Sequence, residues 1–223
     1  MEITLERRFR GPLTSANGGY VCGRIAQYVA AESVEVTLRL PPPLERPLAV
    51  VLGETGARLL DGKDVVVAAR PADVEVAAPA PVSRDEAAVA TLRHLREGSR
   101  DFRECFVCGQ REAGDGLAVY AGAVQGREPL HAAPWTPGEI GPEIVWAAID
   151  CPGAYAVGAA GRGEVVLGRM TARVFRVPAA GEPCVVGAWP LEEDGRKLNA
   201  GTALFGADGE LLALARQVWI APR

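Results

Sequence analysis

The chain repeats one pattern of secondary structure twice, and this repeat limits its fold more than any other feature. Each half begins with a short strand, continues with one helix and ends in short apolar segments separated by Pro or Asp-Gly turns. Matching residues recur in step: Pro47 with Pro183, Asp61-Gly62-Lys63 with Asp194-Gly195-Arg196, and Ala72-Asp73 with Ala207-Asp208. An internal duplication of about a hundred residues per copy explains this recurrence best.

Hydrophobic periodicity predicts the elements of each copy. In the first half, the strand ITLERRF and the helix ANGGYVCGRIAQYVAA precede the strands VEVTLRL, PLAVVLGET, ARLLDGKDVVVAARPA and DVEVAA. In the second half, the strand GLAVYAG and the helix EIVWAAIDCPGAYAVGAA precede RMTARVFRV, EPCVVGAWPLE, GRKLNAGTALFGA and GELLALARQVWI. One helix per four or five strands predicts an α+β fold with antiparallel pairing, because parallel strands need a crossover between them.

A seam rich in Pro and Ala, residues 77–82, separates the two copies, and helical spacing of apolar residues follows it over residues 84–97. We therefore predict an N-terminal domain over residues 1–82, a linker with a short helix over residues 83–103, and a C-terminal domain over residues 104–223.

Composition excludes several classes of function. Hydrophobic residues make up 48% and charged residues 23% of the chain, and no apolar run is long enough to span a membrane. The formal net charge of −4 offers no basic surface for nucleic acid, so we expect a small-molecule ligand. The start MEITLERRF has no apolar signal region, and the five cysteines make an odd count. We expect a cytoplasmic protein with reduced thiols.

Several motifs resemble those of hotdog-fold proteins, in which an antiparallel sheet wraps a central helix. Cys105-Phe106-Val107-Cys108-Gly109, followed by Gly116-Leu117, resembles the opening of thioesterase-like proteins of the PaaI group, and so does the ending GRKLNAGTALFGADGELLALARQVWI. The stretch Asn17-Gly18-Gly19-Tyr20 resembles the start of the N-terminal hotdog in tandem acyl-CoA thioesterases. The resemblance implies a double hotdog with one long central helix in each unit, and it leaves a homodimer of such chains open.

Thioester hydrolysis needs hydrogen-bond donors for the carbonyl oxygen and a carboxylate that acts as nucleophile or activates water. The first N–H groups of a helix have no intrahelical partner, and glycines let an acyl group approach them closely. Gly18 and Gly19 fit the donor role. In the structural alternative, the two glycines only form a tight turn and Asn17 caps the helix. The two interpretations are compatible, and Asn17 would also help to position the thioester or water.

Asp150 lies in an otherwise apolar helix, where an unpaired carboxylate is costly to bury. In the PaaI pattern an acid follows the first residue of the His-Gly-Gly motif by nine positions, and Gly141 lies nine positions before Asp150. Asp150 is therefore the candidate acid. The alternative is that Asp150 caps a helix that restarts at Pro152.

The resemblance also implies that each site takes donors from one helix start and the acid from the other helix. The acid position of the first half falls at Ala26, beside Gln27, and the first-glycine position of the second half falls at Pro142, which has no N–H. One complete site would thus pair Gly18 and Gly19 with Asp150. We expect the Gly18 N–H and the Asp150 carboxylate to face one cavity.

Three more residues complete the predicted site. Arg196 and Lys197 could meet the phosphates of coenzyme A, or could simply be solvated strand residues. Tyr20 joins them as a substrate-binding candidate.

The remaining signals do not indicate a cofactor. Cys105 and Cys108 form a single CxxC pair, and a structural zinc site would need two more ligands at comparable spacing. Cys22 and Cys151 are interpreted as small buried thiols, because no His lies near them in sequence. We therefore expect no metal and no cofactor, with coenzyme A entering only as part of the substrate.

These residues predict a thioesterase that acts on an acyl-CoA or similar thioester. Two alternatives stay open. One is a protein that binds acyl-CoA or another hydrophobic ligand without turnover, because Asn17 stands where the PaaI pattern has His. The other is a hotdog hydratase or dehydratase, although His94 and His131 lie outside the central helix predicted for each half.

Overall fold

Both halves of the chain contribute strands to a single antiparallel sheet. The computed structural model describes residues 1–94, 102–162 and 165–222. The first half contains β1 (Glu2–Thr4), a 3-10 turn (Arg7–Phe9), α1 (Gly18–Ala26), β2 (Ser33–Leu38), β3 (Pro47–Leu52), β4 (Ala57–Asp61) and β5 (Asp64–Pro71). A connecting helix, α2 (Arg84–Thr91), follows.

The second half contains two helices where one was predicted. Its elements are β6 (Gly122–Ala123), β7 (His131–Trp135), α3 (Pro142–Ala148), α4 (Cys151–Ala156), a 3-10 turn (Ala159–Gly161), β8 (Val166–Val174), β9 (Cys184–Asp194), β10 (Lys197–Gly206) and β11 (Leu211–Ile220). Across the described residues the strand order is β1-β3-β4-β5-β2-β8-β11-β10-β9-β7-β6.

Strands β2 and β8 join the two halves of the sheet. They pair antiparallel from Ser33 opposite Arg173 to Thr37 opposite Arg169. Val34 and Val36 of β2 are buried under the helical layer, as the alternation of this strand predicts. The predicted α+β class with antiparallel pairing is therefore confirmed.

The helices α1 and α3 run antiparallel across the sheet and pack directly against each other. Two glycines on one face of α1, Gly19 and Gly23, make this close approach possible. A Cβ at Gly19 would lie 2.7 Å from the Trp146 carbonyl oxygen, and a Cβ at Gly23 would lie 2.9 Å from Trp146 Cβ. The start of α1 consequently lies beside the end of α3. None of the helices among the described residues is long and apolar enough to cross a membrane.

The seam forms a capped helix that packs on the second half. Ser83 accepts from the Glu86 backbone N–H, and the Glu86 side chain accepts from the Ser83 backbone N–H, which closes a capping box. Ala87 and Ala90 of α2 are buried against apolar residues that include Ala132 of β7. A helix therefore stands where the linker helix was predicted, and residues 95–101 of that linker lie outside the described residues.

Three predicted strands differ from the structure. ITLERRF pairs as a strand only up to Thr4, and Arg7–Phe9 form a 3-10 turn. Residues 73–78 form no strand, and Val74 and Val76 pack beside Ala203 and Leu214 on the outer face of the sheet. In the segment GLAVYAG, only the last residue, Gly122, pairs as a strand, together with Ala123 that follows it. Its earlier residues bond instead to the cysteine loop, where the Val119 N–H donates to the Val107 carbonyl oxygen at 2.9 Å.

The single long helix predicted for the second half is wrong, because it breaks at Ile149 and Asp150. Pro152 has no N–H to continue the α-helical ladder, and its ring crowds the preceding turn. The break frees the Ile149 carbonyl oxygen, which accepts from Gln217 Nε2 at 2.7 Å. The Gly153 N–H, which would bond to this oxygen in a continuous helix, donates to the Asp150 carbonyl oxygen instead, so a buried strand residue satisfies the Ile149 carbonyl group.

Candidate functional site

The site begins at the start of α1, where Asn17 is the N-cap. Its Oδ1 accepts from the Tyr20 N–H at 2.9 Å, as the capping interpretation predicted. Its Nδ2 points the other way and donates to Asp150 Oδ2 at 2.9 Å. One buried side chain therefore orders the helix start and holds the candidate acid.

Asp150 is 2% exposed, and its two carboxylate oxygens have different surroundings. Oδ2 accepts from Asn17 Nδ2 and from the Gly19 N–H at 3.0 Å. Oδ1 is buried and has no hydrogen-bond partner among the described residues. Because buried polar atoms are nearly always bonded, this unpartnered carboxylate oxygen needs an explanation, and a role toward a ligand in the neighbouring cavity is one.

Burial raises the pKa of Asp150 to about 7, and the two hydrogen bonds to Oδ2 offset part of that effect. A carboxyl group with this pKa can accept or donate a proton near neutral pH. Asp150 is also the N-cap residue of α4, but its side chain makes no capping hydrogen bond. Asp150 therefore occupies the N-cap position of α4, but its carboxylate does not cap that helix.

A cavity of about 600 Å³ opens beside these residues. Both halves of the chain line it, since Asn17 and Gly18 come from the first half and Asp150, Leu167 and Trp219 come from the second. Gly18 and Asp150 face the same cavity, as the pairing of the two halves predicted. The volume lies within the range of small-molecule sites, and apolar side chains form most of the wall.

The two glycines differ in what their N–H groups can do. The Gly19 N–H is already bonded to Asp150, so it is not a free donor for a substrate oxygen, contrary to the prediction. The Gly18 N–H has no partner among the described residues and lies at the cavity wall. Gly18 is therefore the donor that the structure leaves available, and Gly19 holds the acid.

The three predicted substrate-binding residues do not line the cavity. Tyr20 is buried in the core, where its ring stacks on Phe9 with centroids 3.9 Å apart. Arg196 donates to the Ala221 carbonyl oxygen at 2.8 Å, and Lys197 lies 3.6 Å from Asp194. The sequence did not predict this, because consecutive residues at the start of a helix or at the end of a strand direct their side chains to different sides of the element.

Arg39, by contrast, lines the cavity and was missed by sequence reasoning. It follows β2, is exposed, and carries the positive charge of the described cavity wall, on which Asp150 is the acidic residue. Lys197 does not line the cavity, but it pairs across the strands with Ile220, which does. The basic residue at the end of VEVTLRL was the signal in the sequence.

Gln217 is the second residue that sequence reasoning missed. It is fully buried on β11, and it donates to the Ile149 carbonyl oxygen and, at 3.3 Å, to the Asp150 carbonyl oxygen. A Cβ at Gly153 would lie 2.9 Å from Gln217 Cδ, so only glycine fits there. A glutamine inside an apolar strand was the available signal, since buried amides need partners.

Three cysteines gather at the same wall. The sulfurs of Cys105, Cys108 and Cys151 lie within 4.8 Å of one another, and all three residues line the cavity. The sulfurs of Cys105 and Cys151 are 3.7 Å apart. The fold brings Cys151 to the CxxC pair from a distant part of the chain, a neighbour that the spacing of ligands in the sequence did not indicate.

The opposite pairing of helix ends holds no comparable group. Where the end of α1 meets the start of α3, Gln27 Nε2 donates to Glu143 Oε2 at 2.9 Å in an exposed position. Ala26 and Pro142, the predicted counterparts of the acid and the donor, supply neither a carboxylate nor an N–H.

Comparison with solved protein structures identifies the fold of the chain. No protein-family model and no curated protein matches the sequence. Acyl-CoA thioesterase II TesB2 from Mycobacterium marinum is similar in structure, with 14% identity, coverage of 99% of this chain and 92% of that chain, and a TM-score of 0.61. A conserved protein with a hot dog fold from Alicyclobacillus acidocaldarius shows 10% identity, coverage of 100% and 92%, and a TM-score of 0.68.

A dehydratase domain of a mycocerosic acid synthase-like polyketide synthase is similar as well, with 16% identity, coverage of 99% and 90%, and a TM-score of 0.65. At these identities the likeness concerns the fold. The resemblance to hotdog proteins is thereby confirmed: this chain has a hotdog fold like that of thioesterase II proteins.

Proposed function

We propose that the protein hydrolyses an acyl thioester, with acyl-CoA as the substrate class, at one site between its two halves. The observation that carries this proposal is the Asp150 carboxylate. One of its oxygens is fixed by Asn17 and Gly19, and the other is buried beside the cavity without a partner. A fixed carboxylate with one unused oxygen is suited to activating a water or attacking the thioester carbon.

The Gly18 N–H supplies the complementary interaction. It lies at the start of α1, where the helix dipole favours negative charge, and it faces the cavity that Asp150 lines. As water or the carboxylate attacks, charge develops on the thioester oxygen, and this N–H would stabilise it. If Asp150 acts as the base, the proton of the attacking water passes to Asp150. The C–S bond then breaks, and the leaving thiolate of coenzyme A takes up that proton, so that the carboxylic acid and free coenzyme A are released.

The cavity suits the two ends of an acyl-CoA. Leu38, Val165 and Leu167 offer apolar surface to the acyl chain. Arg39 at the wall would meet the phosphates of coenzyme A. In this proposal Arg39 takes the role that the sequence suggested for Arg196 and Lys197, which do not line the cavity.

A hydratase or dehydratase is the second candidate, since one structural neighbour is a dehydratase domain. That chemistry usually employs a histidine near the helix. His94 lies within hydrogen-bond distance of the Ala121 carbonyl oxygen, and His131 lies on β7 beside the Pro129 carbonyl oxygen. Neither histidine lines the described cavity, which favours hydrolysis.

The experiment separates binding from turnover. The purified protein is offered acyl-CoAs of several chain lengths, binding is measured by calorimetry, and release of free coenzyme A is followed by chromatography. We expect hydrolysis of at least one chain length. Saturable binding of the whole panel without release of coenzyme A would replace the proposal with a ligand-binding function, and water addition to an enoyl-CoA would replace it with a hydratase.

A further inference from the structure

The geometry points to a zinc site at the wall of this cavity, formed by the thiolates of Cys105, Cys108 and Cys151, with the fourth coordination position left to a ligand from the cavity. This inference is independent of the proposed hydrolysis. It concerns the cysteine triad, meaning these three residues, which neither the fold nor the proposed reaction explains.

The spacing of the sulfurs fits the ion. Zinc binds thiolates at about 2.3 Å in a tetrahedron, so two ligating sulfurs lie roughly 3.8 Å apart. Cys105 and Cys151 are 3.7 Å apart, and the three sulfurs lie within 4.8 Å of one another. The triad therefore needs only small side-chain movements to surround one ion.

The loop that carries the CxxC pair is a tight turn. The Gly109 N–H donates to the Cys105 carbonyl oxygen at 2.9 Å. A Cβ at Gly109 would lie 2.8 Å from the Arg103 carbonyl oxygen, so the turn needs glycine at this point. The turn holds Cys105 and Cys108 beside Cys151, which comes from α4.

Side chains complete the surroundings of the triad. Asn17 Nδ2 lies 3.9 Å from the Cys105 sulfur and 3.8 Å from the Cys151 sulfur. Tyr155 lines the same cavity as the three cysteines.

Sulfur-only ligands select the metal by class. Three thiolates in a tetrahedral arrangement favour zinc over hard ions such as Mg²⁺ or Ca²⁺, which prefer oxygen. On binding, each thiol loses its proton to solvent, so no redox change takes place. Three protein ligands leave one position of the ion free, and the triad lines the same cavity as Asp150.

The test is metal binding by the full-length protein. Zinc is measured by mass spectrometry after purification under reducing conditions. Cobalt is then substituted, and thiolate-to-cobalt charge-transfer absorption is recorded. We expect about one zinc per chain and a cobalt spectrum of a tetrahedral, thiolate-rich site. In Cys108→Ser, at the least buried cysteine of the triad, zinc affinity falls by more than about tenfold.

Cys184→Ala is the matched control, because Cys184 is a buried cysteine on β9 outside the triad. We expect it to bind zinc as the wild type does, and thermal melts check that both variants fold. Absence of zinc and of the cobalt absorption in folded wild-type protein overturns the inference. So does a Cys105–Cys151 disulfide that persists under reducing conditions, as does equal zinc affinity in Cys108→Ser and wild type. Acyl-CoA hydrolysis is recorded separately, so loss of either proposal leaves the other intact.

Discussion

At the scale of single residues, the site depends on how one carboxylate is held. Asp150 receives a backbone N–H from Gly19 and a side-chain N–H from Asn17, and both donors belong to the first turn of α1. Gly19 can serve only because it has no side chain, since a Cβ there would collide with the Asp150 side chain. The double glycine therefore combines close approach at Gly19 with a free N–H at Gly18.

Gly19→Ala is expected to displace Asp150. Overpacking at this helix contact should cost about 1–3 kcal/mol of unfolding free energy, measured by denaturant titration. Hydrolysis should fall with it, because the carboxylate loses its position. Gly138→Ala is the control, since nothing lies within 4 Å of a Cβ there. Equal stability of the two variants would contradict the close contact of Gly19 with Asp150 and Trp146.

The sequence identified these residues unevenly, for physical reasons. Asn17 and Asp150 stood out because capping chemistry and a charge within an apolar segment are local signals. Tyr20 and the triad did not follow from the sequence, because the direction of a side chain and the meeting of Cys151 with Cys105 are properties of the tertiary structure. Periodicity predicts faces of an element but not which distant element covers them.

At the scale of elements, the break between α3 and α4 positions the acid. Pro152 ends the hydrogen-bond ladder, and Gln217 on β11 bonds to the carbonyl oxygen freed at Ile149. The sequence signalled the break through the proline, but the apolar pattern on both sides was read as continuous. The partner could not be predicted, because it comes from a strand 68 residues away.

Gln217→Leu is expected to destabilise this break. The change leaves the buried Ile149 carbonyl oxygen without its bond, and the Trp219 indole N–H loses its acceptor as well. Each loss should cost roughly 1–3 kcal/mol, measured as the change in unfolding free energy. Gln27→Leu removes an exposed hydrogen bond from the Gln27 amide to Glu143, and it is expected to lower the unfolding free energy far less. Similar costs for the two variants would contradict the role assigned to Gln217.

The connection between β8 and β9 carries a pH-dependent contact. Arg176 bonds to Glu182 and Glu210, and the bonds from Arg176 lower the pKa of Glu182 from 4.5 to about 2. Because the folded state holds the carboxylate ionised, this contact stabilises the protein above about pH 4.5 and loses its effect as the pH falls toward 2.

Glu182→Gln should therefore lower the melting temperature slightly at neutral pH, because the pair lies at the surface and solvent screens it in part. The difference from wild type should shrink between pH 4.5 and pH 2. Thermal melts over this range test the expectation. A difference that stays constant, or grows as the pH falls, would contradict it.

At the scale of the whole molecule, the two halves of the chain contribute unequally to the site. Both contribute strands to one sheet, and α1 and α3 pack antiparallel, so two equivalent helix-end positions exist. One of them joins Gly18, Gly19 and Asp150, whereas the other holds the exposed Gln27–Glu143 bond. The ratio of one helix to four or five short strands was enough to predict the antiparallel class, because parallel strands need a crossover between them.

Asp150→Asn tests the proposed role of the Asp150 carboxylate in hydrolysis most directly. An asparagine at this position has nearly the same shape, and its Oδ1 can still accept from Gly19 and Asn17, so only the free carboxylate oxygen is lost. Release of coenzyme A from the best acyl-CoA substrate is measured beside its binding by calorimetry. We predict that hydrolysis falls at least about a hundredfold while binding is unchanged, and that the exposed control Asp73→Asn behaves as wild type. Undiminished hydrolysis by folded Asp150→Asn would contradict the central claim.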